Sequence, residues 1–115
     1  MNFLNRVKRN LFKGLFRGFE NEIDYNKLQE IINENDNVYL IDVRTEDEFL
    51  DKHLKNAINI PLQNIEKNIE KIVKNKNDII IVYCKYGGRG QKAVNKLIKM
   101  GYNNVYNLKG GIMGI

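Results

Sequence analysis

Ile79-Ile80-Ile81-Val82-Tyr83-Cys84-Lys85-Tyr86-Gly87-Gly88-Arg89-Gly90 is the stretch on which the fold turns. Ile79 to Tyr83 leave no polar face, which is how a central parallel strand covered on both sides reads. A thiol, two cations and three glycines follow. From Gln91 onward Ala93, Val94, Leu97, Ile98 and Met100 take helical spacing, with Gly101 as the C-terminal stop. Strand, glycine-rich turn and helix make a βα unit. In an open α/β sheet the ligand crevice lies beyond the carboxyl ends of the strands, so Cys84 stands at a functional address.

The same alternation extends through the chain. Asp24 is placed to cap a helix with Leu28, Ile31 and Ile32 on one face, closing in the polar run Asn33 to Asn37. Val38-Tyr39-Leu40-Ile41 reads as a buried strand. Thr45 followed by Glu48 is a capping box, which starts a short helix through Phe49 and Leu50. Ala57-Ile58-Asn59-Ile60 is a strand ended by Pro61, since proline has no N–H for a ladder. Ile65, Ile69, Ile72 and Val73 mark an amphipathic helix, and Val105-Tyr106-Asn107-Leu108 a last strand before Gly110-Gly111. Strands separated by helices predict a mainly parallel sheet in an α/β domain.

At 115 residues the chain is one domain's worth. With 43% hydrophobic and 29% charged residues it is neither a disordered tail nor a membrane bundle. The net charge is +5, but residues 1–20 hold five cations (Arg6, Lys8, Arg9, Lys13, Arg17) against Glu20. The basic character therefore belongs to the N-terminal segment, and nucleic acid is not an expected partner of the domain. Residues 1–22 read as a basic amphipathic segment and 23–115 as the domain. With Leu4, Val7, Leu11 and Leu15 opposite the cations, that helix can pack on its own domain, lie on an anionic membrane surface or occupy a partner's groove. One Cys and one His leave no disulfide framework or zinc cluster, and neither a metal nor a cofactor is expected. No apolar run reaches membrane-spanning length, so the expected address is the cytoplasm, including its membrane periphery.

Glycines in the loop let several N–H groups converge on one point at a helix N-terminus, forming an anion nest. Lys85, Arg89 and Lys92 add positive charge, and no acid lies between Tyr83 and Ile115. Such surroundings favour a thiolate, making Cys84 a candidate nucleophile. The alternative is an inert cysteine at a strand end, since free Cys is among the most buried residue types. A nucleotide-binding loop is excluded, because neither of the usual glycine patterns for one is present.

Taken together, these pieces resemble a single-domain rhodanese. The likeness rests on Leu40-Ile41-Asp42-Val43-Arg44, Glu48-Phe49, His53-Leu54, Ala57 and Asn59-Ile60-Pro61. It continues with Val82-Tyr83-Cys84, Gly87, Arg89, Ala93, Leu97, Gly101-Tyr102, Asn104-Val105-Tyr106, Leu108 and Gly110-Gly111-Ile112. The resemblance implies a three-layer rhodanese-like sandwich with a five-stranded mainly parallel sheet. It implies a sulfurtransferase in which Cys84 carries a sulfane sulfur as a persulfide, from a small sulfur donor to a thiol or cyanide acceptor. Lys85, Tyr86, Gly87, Gly88 and Arg89 would form the loop that cradles the sulfur or the donor's oxyanion. For Arg89, contact with an anion and an ion pair with a carboxylate elsewhere in the fold are both open. Asp42, Arg44, Glu48 and His53 match positions that are structural, near the site.

Three positions depart from the family's pattern: Lys52 and Asn56 replace glycines, and Gly90 replaces a Ser or Thr that could cap the following helix. A non-catalytic module of the same fold is the alternative of another class. A phosphatase or arsenate reductase is disfavoured because Cys84 and Arg89 enclose four residues, one fewer than such a loop contains.

Overall fold

The structure, a computed structural model, describes residues 21–115. The basic amphipathic segment expected over residues 1–20 lies outside the described residues. Five strands form one sheet: β1 (Glu22–Ile23), β2 (Val38–Asp42), β3 (Ile58–Asn59), β4 (Ile79–Tyr83) and β5 (Asn104–Leu108). Their order is β1-β5-β4-β2-β3 and every pairing is parallel. The helices are α1 (Tyr25–Glu34), α2 (Glu46–Asp51), α3 (Ile65–Ile72) and α4 (Gly88–Lys99), with short 3-10 turns at Leu62–Asn64 and Ile112–Gly114. No helix among the described residues is long and apolar enough to cross a membrane.

Side-chain alternation along β4 divides the core in two. Ile80, Val82 and Cys84 pack with Ile65 and Ile69 of α3 and Ala93, Val94 and Leu97 of α4. Ile81 and Tyr83 face the other way, against Leu28 and Ile31 of α1. This period of two explains why a strand with both faces covered shows no polar residue, and it gives the three expected layers.

Local signals set the helix starts. Asp24 accepts the Lys27 N–H at 2.7 Å, as an N-cap does. The Thr45 hydroxyl accepts the Glu48 N–H at 3.2 Å, while Glu48 Oε1 accepts the Thr45 N–H at 3.1 Å, closing the capping box. One apolar residue read as a helix-face position, Ile32 in α1, is exposed instead, as is Leu50 in α2, at 68%. Helix α2 has no buried residue and is held by its cap and by ion pairing.

One strand was not legible. Strand β1 is two residues long, too short to show a period, and is held by its pairing with β5. Asn21, just before it, is buried and donates from Nδ2 to the Val105 carbonyl at 2.8 Å. Glu22 thus pairs with Asn107 in the sheet, and Asn21 is bonded to the strand beside it.

The glycine replacements are accommodated. Asn56 takes φ 67°, a left-handed conformation that Asn tolerates better than most residues. Lys52 has φ −165° and ψ 137°, extended backbone that any residue adopts.

Candidate active site

Register brings the pieces together. Asp42 of β2 pairs with Tyr83 of β4, and Val82 of β4 with Asn107 of β5. The segments leaving these three strands therefore emerge side by side at one edge of the sheet. From β2 come Arg44 and α2, from β4 the Cys84 loop, and from β5 the turn at Gly110-Gly111.

Cys84 is buried, and its Sγ accepts two backbone hydrogen bonds, from Gly87 N at 3.0 Å and from Gly90 N at 3.2 Å. Helix α4 begins at Gly88, three residues earlier than the apolar pattern indicates. Its first turn contains Gly90, whose N–H has no carbonyl partner within the helix and finds the sulfur instead. That is how the terminus is satisfied without the hydroxyl missing at position 90. The turn into α4 requires glycine at 87, where φ is +118°.

The carbonyl side of the loop is held from behind. Ile112 N donates to the Cys84 carbonyl at 2.9 Å and Met113 N to the Lys85 carbonyl at 3.1 Å. Gly111, at φ +63°, lies so close that a Cβ there would collide with the Lys85 carbonyl. With these carbonyls bound to the C-terminal turn, the loop is left to present its N–H groups. Among the described residues, the N–H groups of Lys85, Tyr86, Gly88 and Arg89 make no hydrogen bond to the protein. Two of the loop's amides, those of Gly87 and Gly90, thus converge on the Cys84 sulfur. Lys85 and Tyr86 form its exposed rim, with Lys85 Nζ 5.3 Å from the Tyr86 ring centroid.

Arg89 forms an ion pair. Its Nη1 donates to Glu48 Oε1 at 2.7 Å and its Nη2 to Glu48 Oε2 at 3.0 Å, a bidentate clamp. The local sequence around Cys84 is free of acid, but the fold brings this carboxylate in from α2. The clamp ties the first turn of α4 to α2 and raises the Arg89 pKa. Conversely, the Arg89 hydrogen bonds, aided by the Thr45 N–H and hydroxyl, hold the Glu48 carboxyl down at about 2 against the opposing effect of burial.

A carboxyl lowered by folding stabilises the fold above its unfolded pKa, and that stabilisation disappears as pH falls toward the folded value. Glu48→Gln is thus expected to be less stable than the wild type at pH 6. The difference should shrink between pH 4.5 and about 2. Urea unfolding at several pH values measures it, and a difference independent of pH would contradict the assignment.

Asp42 and Arg44 are both buried and pair with each other. Asp42 Oδ1 accepts from Arg44 N at 2.9 Å and Nε at 3.0 Å, and Oδ2 accepts from Nη2 at 2.7 Å. Nη2 reaches on to the Lys52 carbonyl at 2.6 Å, fastening the end of α2. The guanidinium carbon lies 5.6 Å from the centroid of the Tyr83 ring, whose phenol is kept neutral by burial and accepts the Leu54 N–H at 3.0 Å. His53 is exposed, with Nδ1 2.7 Å from the Phe49 carbonyl and its ring stacked on Phe49 at 3.7 Å. This contact secures the turn after α2. A cavity of about 230 Å³ opens beside the loop, lined by Arg44, Glu48, Lys52, Lys85 and Met113 among others.

Three contributors were missed in the sequence. The backbone N–H groups of Ile112 and Met113 carry no side-chain signal. Asn107, whose Nδ2 donates to the Gly87 carbonyl at 3.0 Å, left only the trace of a polar residue among the apolar ones of its strand.

The comparisons agree with this architecture. Residues 24–115 match the family model described as a rhodanese-like domain. A sulfurtransferase of Allochromatium vinosum is 32% identical over 93 residues, which cover 81% of this chain and 85% of that protein. Thiosulfate sulfurtransferase PspE of Escherichia coli is 40% identical over 70 residues, covering 61% of this chain and 67% of that one. Among solved structures, a rhodanese-like domain protein from Staphylococcus aureus superposes with a TM-score of 0.71 at 31% identity, over 81% of this chain and 88% of that one. The chain belongs to the rhodanese-like domain family.

Proposed function

We propose that this rhodanese-type sulfurtransferase carries a sulfane sulfur as a persulfide on Cys84. It takes the sulfur from thiosulfate or a persulfide donor and gives it to a thiol or to cyanide. The observation that carries this reading is the aim of the Gly87 and Gly90 amides at Cys84 Sγ, at 3.0 and 3.2 Å.

In the first step the Cys84 thiolate attacks the outer sulfur of thiosulfate. A new S–S bond forms, the donor's S–S bond breaks, and its electron pair leaves with sulfite. The terminal sulfur then bears the negative charge and accepts hydrogen bonds from the remaining loop N–H groups. In the second step an acceptor such as cyanide attacks that terminal sulfur. The Cys84 S–S bond breaks, and its electron pair returns to Sγ as thiolate. The chain's single Cys provides no second thiol to resolve the persulfide, so the acceptor comes from outside. Arg89 serves this chemistry through its clamp on Glu48, which holds the first turn of α4 in place. Lys85 and Tyr86, on the rim, meet the incoming donor.

Intact-mass measurement after incubation with thiosulfate tests the reading. The protein is expected to gain one sulfur atom and to lose it again on addition of cyanide. An unchanged mass would favour a non-catalytic module.

A further inference from the structure

Asn107 is 1% exposed. It shares the sheet face of Val105, which packs toward α3 and α4, and its register beside Val82 puts it beneath the start of α4. An apolar residue would suit that position better, and the carboxamide is only half satisfied. Its Nδ2 donates to the Gly87 carbonyl at 3.0 Å, whereas Oδ1 is buried without a hydrogen-bond donor. A buried polar group that costs stability and abuts a reactive loop requires an explanation.

The geometry explains it. Asn107 Oδ1 occupies the space into which a Cβ at position 90 would project, so the two would collide. Gly90 and Asn107 are therefore one paired solution: the side chain absent from α4 is replaced by one rising from β5. The peptide after Gly87 is planar and trans, so holding its carbonyl on Asn107 also sets the direction of the Gly88 N–H. We propose that Asn107 is a positioning residue for sulfur transfer. Its carboxamide braces the Gly87 carbonyl, which also accepts the Gln91 N–H at 3.0 Å, and fills the space over Gly90, thereby holding the whole 87–90 turn in the conformation that aims the Gly87 and Gly90 amides at Cys84 Sγ. The proposal rests on Cys84 being the sulfur carrier.

Asn107→Val tests it, because valine suits a buried strand, removes the orphaned oxygen and leaves the Gly87 carbonyl with only its bond from Gln91 N, at 3.0 Å. The unfolding midpoint is expected to equal or exceed that of the wild type. Alkylation of Cys84 by iodoacetamide at fixed pH should slow about tenfold, less than the loss on deleting an oxyanion-hole donor outright. The kcat for thiosulfate–cyanide transfer should fall similarly, with KM within about twofold, since the amides act on the reacting sulfur and leave the rim intact. A purely structural residue would lose stability and activity together. Gly90→Ala is the second arm. Its cost in alkylation rate should be at least about threefold smaller in an Asn107→Ala background than in the wild type, because the collision is gone. Wild-type alkylation in Asn107→Val, parallel loss of stability and activity, or equal cost of Gly90→Ala in both backgrounds would overturn the proposal. Alkylation requires no sulfur donor, so these arms still report on Asn107 if the wild type proves inactive toward thiosulfate.

Discussion

Cys84→Ser is expected to abolish sulfur transfer, by at least about a thousandfold, the scale on which removing a nucleophile acts. The serine oxygen is far less polarisable than sulfur, and at neutral pH it stays protonated and does not attack a sulfane sulfur. The fold should survive the change. The hydroxyl is smaller than the thiol, and the Gly87 and Gly90 N–H groups that donate to Sγ become its partners. A cost within about 2 kcal/mol follows from one altered buried hydrogen-bonding group. Circular dichroism and urea unfolding check the fold, and the thiosulfate–cyanide assay checks the chemistry. Turnover surviving in a folded Cys84→Ser protein would remove Cys84 from the mechanism.

Gly111→Ala is expected to be the most damaging change outside the loop itself. A methyl group there meets the Lys85 carbonyl, and alanine disfavours φ +63°. Relief requires the C-terminal turn to move away from the loop, breaking the bonds from Ile112 N to the Cys84 carbonyl and from Met113 N to the Lys85 carbonyl. Backbone strain with the loss of two hydrogen bonds amounts to about 2–4 kcal/mol of stability. Freed carbonyls can rotate, and a displacement of about 1 Å in the loop costs roughly a hundredfold in rate. Steady-state kinetics with urea unfolding measures both effects. A Gly111→Ala protein with wild-type kcat would show that the turn merely borders the loop and does not hold it.

The Cys84 site depends on groups spread along the chain, and this governs how much of it could be read in advance. The Thr45–Glu48 capping box and the Asp24 cap were legible because each involves residues three apart, a distance that local chain geometry sets. The apolar run of β4 and the spacing of α3 and α4 were legible for a similar reason: burial on one or both faces imposes a period. Ile32 escapes that rule because only Leu28 and Ile31 of α1 are buried, a face narrower than the apolar spacing implies. The start of α4 was placed too late, at Gln91. Apolar spacing cannot register a first turn made of glycines, which is defined by what its N–H groups bind.

The amino-acid sequence by itself determined an α/β domain, a thiol at the carboxyl end of its central strand and a glycine-rich turn able to aim amides. These follow from hydrophobic period, capping chemistry and glycine content, all of which act between near neighbours. Only the tertiary structure decided what surrounds that thiol. Glu48 reaches Arg89 across 41 positions, Asn107 reaches Gly87 across 20, and the Gly111 turn lies behind Cys84 and Lys85. Strand order and register create those contacts, because parallel pairing of β2, β4 and β5 delivers three distant segments to one edge. No interaction between sequence neighbours specifies that meeting. It is set by how the whole chain buries its apolar faces.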